Sequence, residues 1–168
     1  MSGLESRTEY EFAVRHVKTT IARPFEQVKA ALEQVVPPLN EAFLAHLRNG
    51  RVDEAVADLN SLAPLSIFGS RDHGVLLSIV GQRRRAIQYD IGNPLTASKM
   101  TRYHVGAALY APLRVLLYEN EAGEAVFEYD RPISTFGQFG SEEINQTAEM
   151  LDALLAQRVT EAAEAARP

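Results

Sequence analysis

Cysteine does not occur anywhere in the 168 residues. Disulfides, zinc–thiolate sites, iron–sulfur clusters and thiol catalysis are therefore excluded. Long apolar runs are missing too. The longest, VGAALYAPL, is about half the ~18 residues a membrane span needs, and it contains Pro112. Positive charge is in deficit: 17 Lys and Arg against 22 Asp and Glu leave a net charge of −5. That balance argues against a generally basic nucleic-acid binder. The four histidines, His16, His46, His73 and His104, form no HxH, HxxxH or HExxH pair, so no zinc site is indicated. The segment SIFGSRDHG has neither Walker nor dinucleotide spacing, and GxSxG is absent. MSGLESRTEYEF has no basic region leading into an apolar one, so a secretory signal is not expected and the expected compartment is the cytoplasm.

What remains reads as one globular domain over residues 1–168, with 46% hydrophobic and 23% charged residues. Alternation predicts a first strand over Tyr10–Val17. Pro24 opens a helix whose apolar stripe is Phe25, Val28, Ala31, Leu32 and Val35, and Pro37-Pro38 interrupts it. Residues 39–62 read as two helical pieces, with Asn40 as a cap and Asn49-Gly50 as the break. Pro64–Gly74 reads as a loop. A hairpin is expected from Val75–Val80 through Gly81-Gln82 into Arg84–Ile91, and a second from Leu113–Glu119 into Glu124–Asp130. On the strand before Ile91, Ile87 and Tyr89 share its face, while Gln88 and Asp90 take the other. A helix is expected over about Pro94–Tyr103, and a last one from Ser141, with Glu142 and Glu143 favouring its start. The order predicts an α+β fold: a single antiparallel sheet of about five strands with helices packed on one face. The other face is left for solvent, a partner or a ligand.

Three features carry a resemblance. A strand ends in Asn93-Pro94, with Ala97 after it. Pro112 precedes a strand reading Arg114-Val115-Leu116-Leu117-Tyr118-Glu119. An acidic-glycine turn leads into a strand that ends before Pro132, and a C-terminal helix follows. In this order they are similar to a bacterial family catalogued as domain of unknown function 302. The likeness covers residues 86–157 well and 10–36 more loosely. It implies a TATA-binding-protein-like, helix-grip-like α+β fold, with core segments 10–36 and 74–157 and a helical insertion over about 37–73. It implies no DNA binding and brings no activity with it. Many members carry Leu-Pro-Cys where this chain has Ala111-Pro112-Leu113.

Candidate site residues cluster around that segment. Asn93-Pro94 starts a helix, since Asn caps and Pro suits the first turn, and with Asp90 it is a candidate polar end of a cavity. Thr96, Met100, Tyr103 and Ala107 recur at helical spacing, a pattern of core stripes as well as of pockets. Met100, Tyr103, His104 and Tyr110 are candidate walls for an aromatic or planar ligand, and Arg114 or Asn93 its anchor. His104 is the candidate for proton transfer, with Asp90 and Tyr103 beside it, or for a haem or iron ligand, although no motif indicates a cofactor. The leading expectation is a small-molecule-binding domain, with acid/base chemistry such as isomerisation, cyclisation or lyase action if it is an enzyme. The rival is a non-catalytic homodimeric interaction module. Expected partners are a small ligand and a second copy, with neither nucleic acid nor membrane. Arg83-Arg84-Arg85 reads as a solvated turn tip.

Overall fold

The computed structural model describes residues 6–166. Five strands form one sheet in the order β1-β5-β4-β3-β2, every neighbouring pair antiparallel. The strands are β1 (His16–Ile21), β2 (Ser66–Asp72), β3 (Ala86–Gly92), β4 (Leu113–Glu119) and β5 (Ala125–Asp130). The helices are α1 (Phe25–Val35), α2 (Ala42–Arg48), α3 (Val52–Ser61), α4 (His73–Leu77), α5 (Pro94–Thr101), α6 (Pro132–Phe136) and α7 (Glu142–Ala165).

One face of the sheet is apolar because the period of a strand is two. Tyr89 and Ile91 of β3, Val115 and Leu117 of β4, and Phe127 and Tyr129 of β5 point the same way and are buried. Onto them pack the stripe of α1 (Phe25, Val28, Ala31, Leu32) and that of α7 (Ile144, Ala148, Leu151, Leu155, Val159). Ser141 caps α7 by accepting from the Ile144 amide at 3.3 Å. The α2–α3 hairpin forms a small satellite core of Phe43, Ala55 and Leu59, closed by Leu95 of α5. The α+β layout is the expected one.

Two local expectations are corrected. The first strand begins at His16; residues 10–15 instead cross α6 and the turn after it, where Tyr10 donates to Gln138 at 2.8 Å and Phe12 meets Tyr110 edge-on. The second concerns residues 64–80. The strand beside β3 is Ser66–Asp72, and Val75–Val80 is helical. A bulge between Ile67 and Gly69 breaks the alternation that marks a strand. Asp72 then accepts from the Val75 amide at 3.0 Å and caps α4, which starts a helix where a strand was expected. On the far side of β2, Ile67 exchanges backbone hydrogen bonds with Pro37 and Leu39, so the Pro37-Pro38 break lies against the sheet.

Candidate functional site

The helix α5 starts as its sequence implies. The Asn93 side chain accepts from the Thr96 amide at 3.1 Å and donates to the Ala63 carbonyl, also at 3.1 Å. One amide thus fixes both the helix start and its distance from the segment leading into β2. Under α5 lies a cleft of about 130 Å³, at the end of β3 and the start of β4. Met100, Ala97, Leu113, Phe136 and Leu151 supply apolar walls, and the cis Ala111–Pro112 bond forms one side. Phe68, exposed, stands at the rim. The polar atoms come from Asn93, Thr96 and Thr101. The Thr101 hydroxyl is already donated to the Ala97 carbonyl at 3.1 Å. Among the described residues, no titratable side chain lines the cleft.

Of the expected site residues, Asn93 and Met100 line this cleft, and the others lie elsewhere. Asp90 and Arg114 face each other in register on the opposite side of the sheet, because both are out of phase with Tyr89 and Val115. Asp90 pairs there with Arg71 at 2.8 Å, and Arg114 is exposed. Tyr103 lies beyond the end of α5, half exposed, with the Arg102 guanidinium 5.3 Å from its ring centre. His104 accepts at Nδ1 from the Gly106 amide at 3.2 Å and caps the short 3₁₀ turn over 105–110; its ring leans on Phe139, with centroids 4.5 Å apart. Tyr110 packs among Phe12, Phe136 and Phe139. The seven residues expected to form a single pocket therefore lie in four separate places. Nearness in sequence is turned apart by strand alternation and by the end of α5.

A haem or iron held by His104 does not fit this geometry. With Nδ1 accepting, the neutral ring carries its proton on Nε2 and has no free lone pair for iron, and His104 does not line the cleft. The cleft volume also falls below the ~300 Å³ at which pockets for larger organic ligands begin. Among the described residues, no group of three His, Cys, Asp or Glu side chains could hold a metal ion.

One cluster escaped the sequence reading. On the open face of the sheet, the His16 ring sits between Asp130 (Nδ1, 2.8 Å) and Glu128 (Nε2, 3.0 Å). Tyr118 donates to the other oxygen of Glu128 at 2.7 Å, and the Lys18 ammonium lies 3.4 Å from that oxygen. The hydrogen bonds to Asp130 and then to Glu128 raise the His16 pKa above its usual 6.5. The Tyr118 hydrogen bond, followed by that of His16, lowers the Glu128 pKa. On the helix-covered face, Tyr89 donates to Glu33 at 2.9 Å, and burial, with that carboxylate second, raises its phenol far above the usual range. Only the alternation of His16 with Lys18 and of Glu128 with Asp130 hinted at such a cluster, and the strand pairing that unites them is not written in either segment.

Comparison with known proteins agrees with this architecture. The crystal structure of an uncharacterized conserved DUF302 protein from Bacillus stearothermophilus superposes with a TM-score of 0.61, covering 90% of this chain and 98% of that one at 11% identity. At that identity the likeness is one of fold. No curated protein matches the chain. Among the described residues, no helix is long and apolar enough to cross a membrane. The family model for domain of unknown function DUF302 matches residues 45–161, a span that takes in most of α2, all of α3 and β2, and the whole wall of the cleft. The chain belongs to the DUF302 family.

Proposed function

We propose that this protein binds a small, uncharged, ring-sized ligand in the cleft beneath α5. The observation that carries the reading is the lining: apolar walls, a few amide and hydroxyl groups at one end, and no ionisable side chain. A dry apolar cavity of roughly 150 Å³ accepts a molecule the size of benzene, and the cleft is close to that at about 130 Å³. Binding of one aromatic ring, with a single polar substituent near Asn93 or Thr96, matches both the volume and the chemistry. Acid/base catalysis within the cleft lacks a group to carry the proton, so the proposed role is binding.

Thermal melts and amide-NMR titrations with benzene, phenol and indole test this. At a ligand concentration ten times Kd, linkage gives about 1.4 kcal/mol, a rise in Tm of roughly 3–6 °C. The variant Ala97→Leu fills the cleft from α5; it is expected to keep its Tm and to lose the ligand shift. No shift with any of the probes, or the same shift in Ala97→Leu, would defeat the reading.

A further inference from the structure

The place of Phe68 is set by the bulge in β2. Ile67 stands in register with Ile91 and packs against the core on the helix-covered face. Gly69 stands in register with Asp90, on the open face. Phe68 lies between them without a partner on β3. In a regular strand it would oppose Asp90 and turn its ring onto the open face. The extra residue gives that position to Gly69, and the Phe68 ring is aimed instead at the rim of the cleft under α5. Phenylalanine is among the side chains most often buried, yet here it is 37% exposed. Among the described residues it packs on no other aromatic ring. Beside it, Gly92 has no side chain. A Cβ there would stand 3.5 Å from the Phe68 ring and 3.5 Å from Pro112. The ring and the proline are thus separated by no more than twice that distance, with nothing from Gly92 between them, and all three residues line the cleft.

We infer that Phe68 is the specificity-determining residue of the cleft: its ring covers one face of the ligand, opposite Pro112, and selects a planar aromatic ring over a saturated ring of similar size. This role rests on the ligand binding proposed above and adds the side chain that chooses among ligands. The gap beside Gly92 favours a flat group. Carbon atoms pack at about 3.5–4.0 Å, so a flat ring fits between two walls spaced in this way, whereas a puckered ring is thicker. The polar end does not discriminate, because Asn93 and Thr96 meet a hydroxyl on either kind of ring alike. Nor do the aliphatic walls Met100, Leu113 and Leu151. Phe136 is the other aromatic wall, but it is fully buried and already meets Tyr110 edge-on, with centroids 6.3 Å apart. Phe68 is the ring with a face to offer. Pairing of two aromatic rings, beyond the area it buries, favours the planar ligand by roughly two- to twelvefold.

Amide-NMR titrations of the full chain with phenol and cyclohexanol test the assignment. Each ligand carries one hydroxyl on a six-membered ring, and the readout is the ratio of their Kd values in each variant. In Phe68→Leu the preference for phenol is expected to fall by roughly two- to twelvefold, with cyclohexanol binding and Tm little changed. Phe68→Tyr is expected to restore the preference. Gly92→Ala places a methyl in the gap at ordinary contact distance from both walls, so it is expected to keep its Tm and to weaken phenol. An unchanged ratio in Phe68→Leu overturns the role of Phe68 while leaving the cleft a binding site, since a merely structural part for the ring weakens both ligands alike. Phenol binding in Gly92→Ala equal to that of the unaltered chain overturns the placement of the ring between Phe68 and Pro112. Binding of neither ligand to the unaltered chain removes the binding reading itself, and the role of Phe68 with it.

Discussion

His16 illustrates how much a single side chain owes to distant parts of the chain. Its two carboxylate partners lie 112 and 114 residues away. With both ring nitrogens donating to carboxylates, the imidazolium is the favoured form and the folded pKa is raised. A raised folded pKa means that its contribution to stability is fully present below 6.5, the unfolded value, and is lost as pH rises through the folded value. The difference in Tm between the unaltered chain and His16→Gln is therefore expected to be positive at pH 6 and to shrink above the raised pKa. Because the ring is half exposed, the effect stays under about 1 kcal/mol. NMR titration of the ring reads the pKa directly, and a value at or below 6.5 contradicts the argument. Glu128 works in the opposite sense: its lowered pKa gives stability that is present above the unfolded value and lost as pH falls through the folded one. Asn93 is the contrasting residue. Its capping bond spans three positions, so the sequence alone placed it correctly.

At the scale of elements, local signals succeeded where they were regular. The stripe of α1, the start of α7 at Ser141 and the β4–β5 hairpin are all where the local pattern put them. The stretch 64–80 was misread for two physical reasons: a bulge hid β2, and a run of β-branched and leucine residues resembles a buried strand until Asp72 and Gly81 are seen as its caps. Gly74 is the joint of that stretch. In Gly74→Ala the new methyl meets the Arg84 carbonyl and approaches the Ala86 amide nitrogen, about 3.1 Å away, so α4 or the start of β3 must shift. Chemical denaturation is expected to show a loss of about 1–3 kcal/mol, in the range of overpacked sites. An unchanged midpoint would mean that α4 is not held against β3 in solution.

For the whole molecule, fold class was legible and the site was not. The segments of β3, β4 and β5, the β4–β5 hairpin and two amphipathic helices suffice for an α+β sheet with one covered face. The site needed more, namely which face each residue takes once strands pair. The phase of Asp90 against Tyr89 was readable and already set Asp90 apart from Met100, but closeness along the chain outweighed it in grouping the seven candidates. Asn93 and Met100 mark one side of the cleft, but Phe68, Phe136 and Leu151 reach it from three separate elements that no local pattern joins. The α2–α3 hairpin has its own small core, yet Leu95 of α5 packs into it and α5 packs on α7. Calorimetry is therefore expected to show one transition with equal calorimetric and van't Hoff enthalpies. A separate earlier transition would make the hairpin an independent unit.

The two strands at the margins of the sheet differ in how they meet the surroundings. Along β1, the side chains of His16 and Lys18 project beside a row of backbone groups that no strand among the described residues pairs. Along β2, Ile67 is already engaged by Pro37 and Leu39, and the irregularity before Gly69 bends the remainder. Each device is one by which natural sheets prevent a neighbouring molecule from adding a strand. A bound Pro37-Pro38 segment and a bulge thus have a bearing on colloidal behaviour: both margins of the sheet are poor templates for fibril growth.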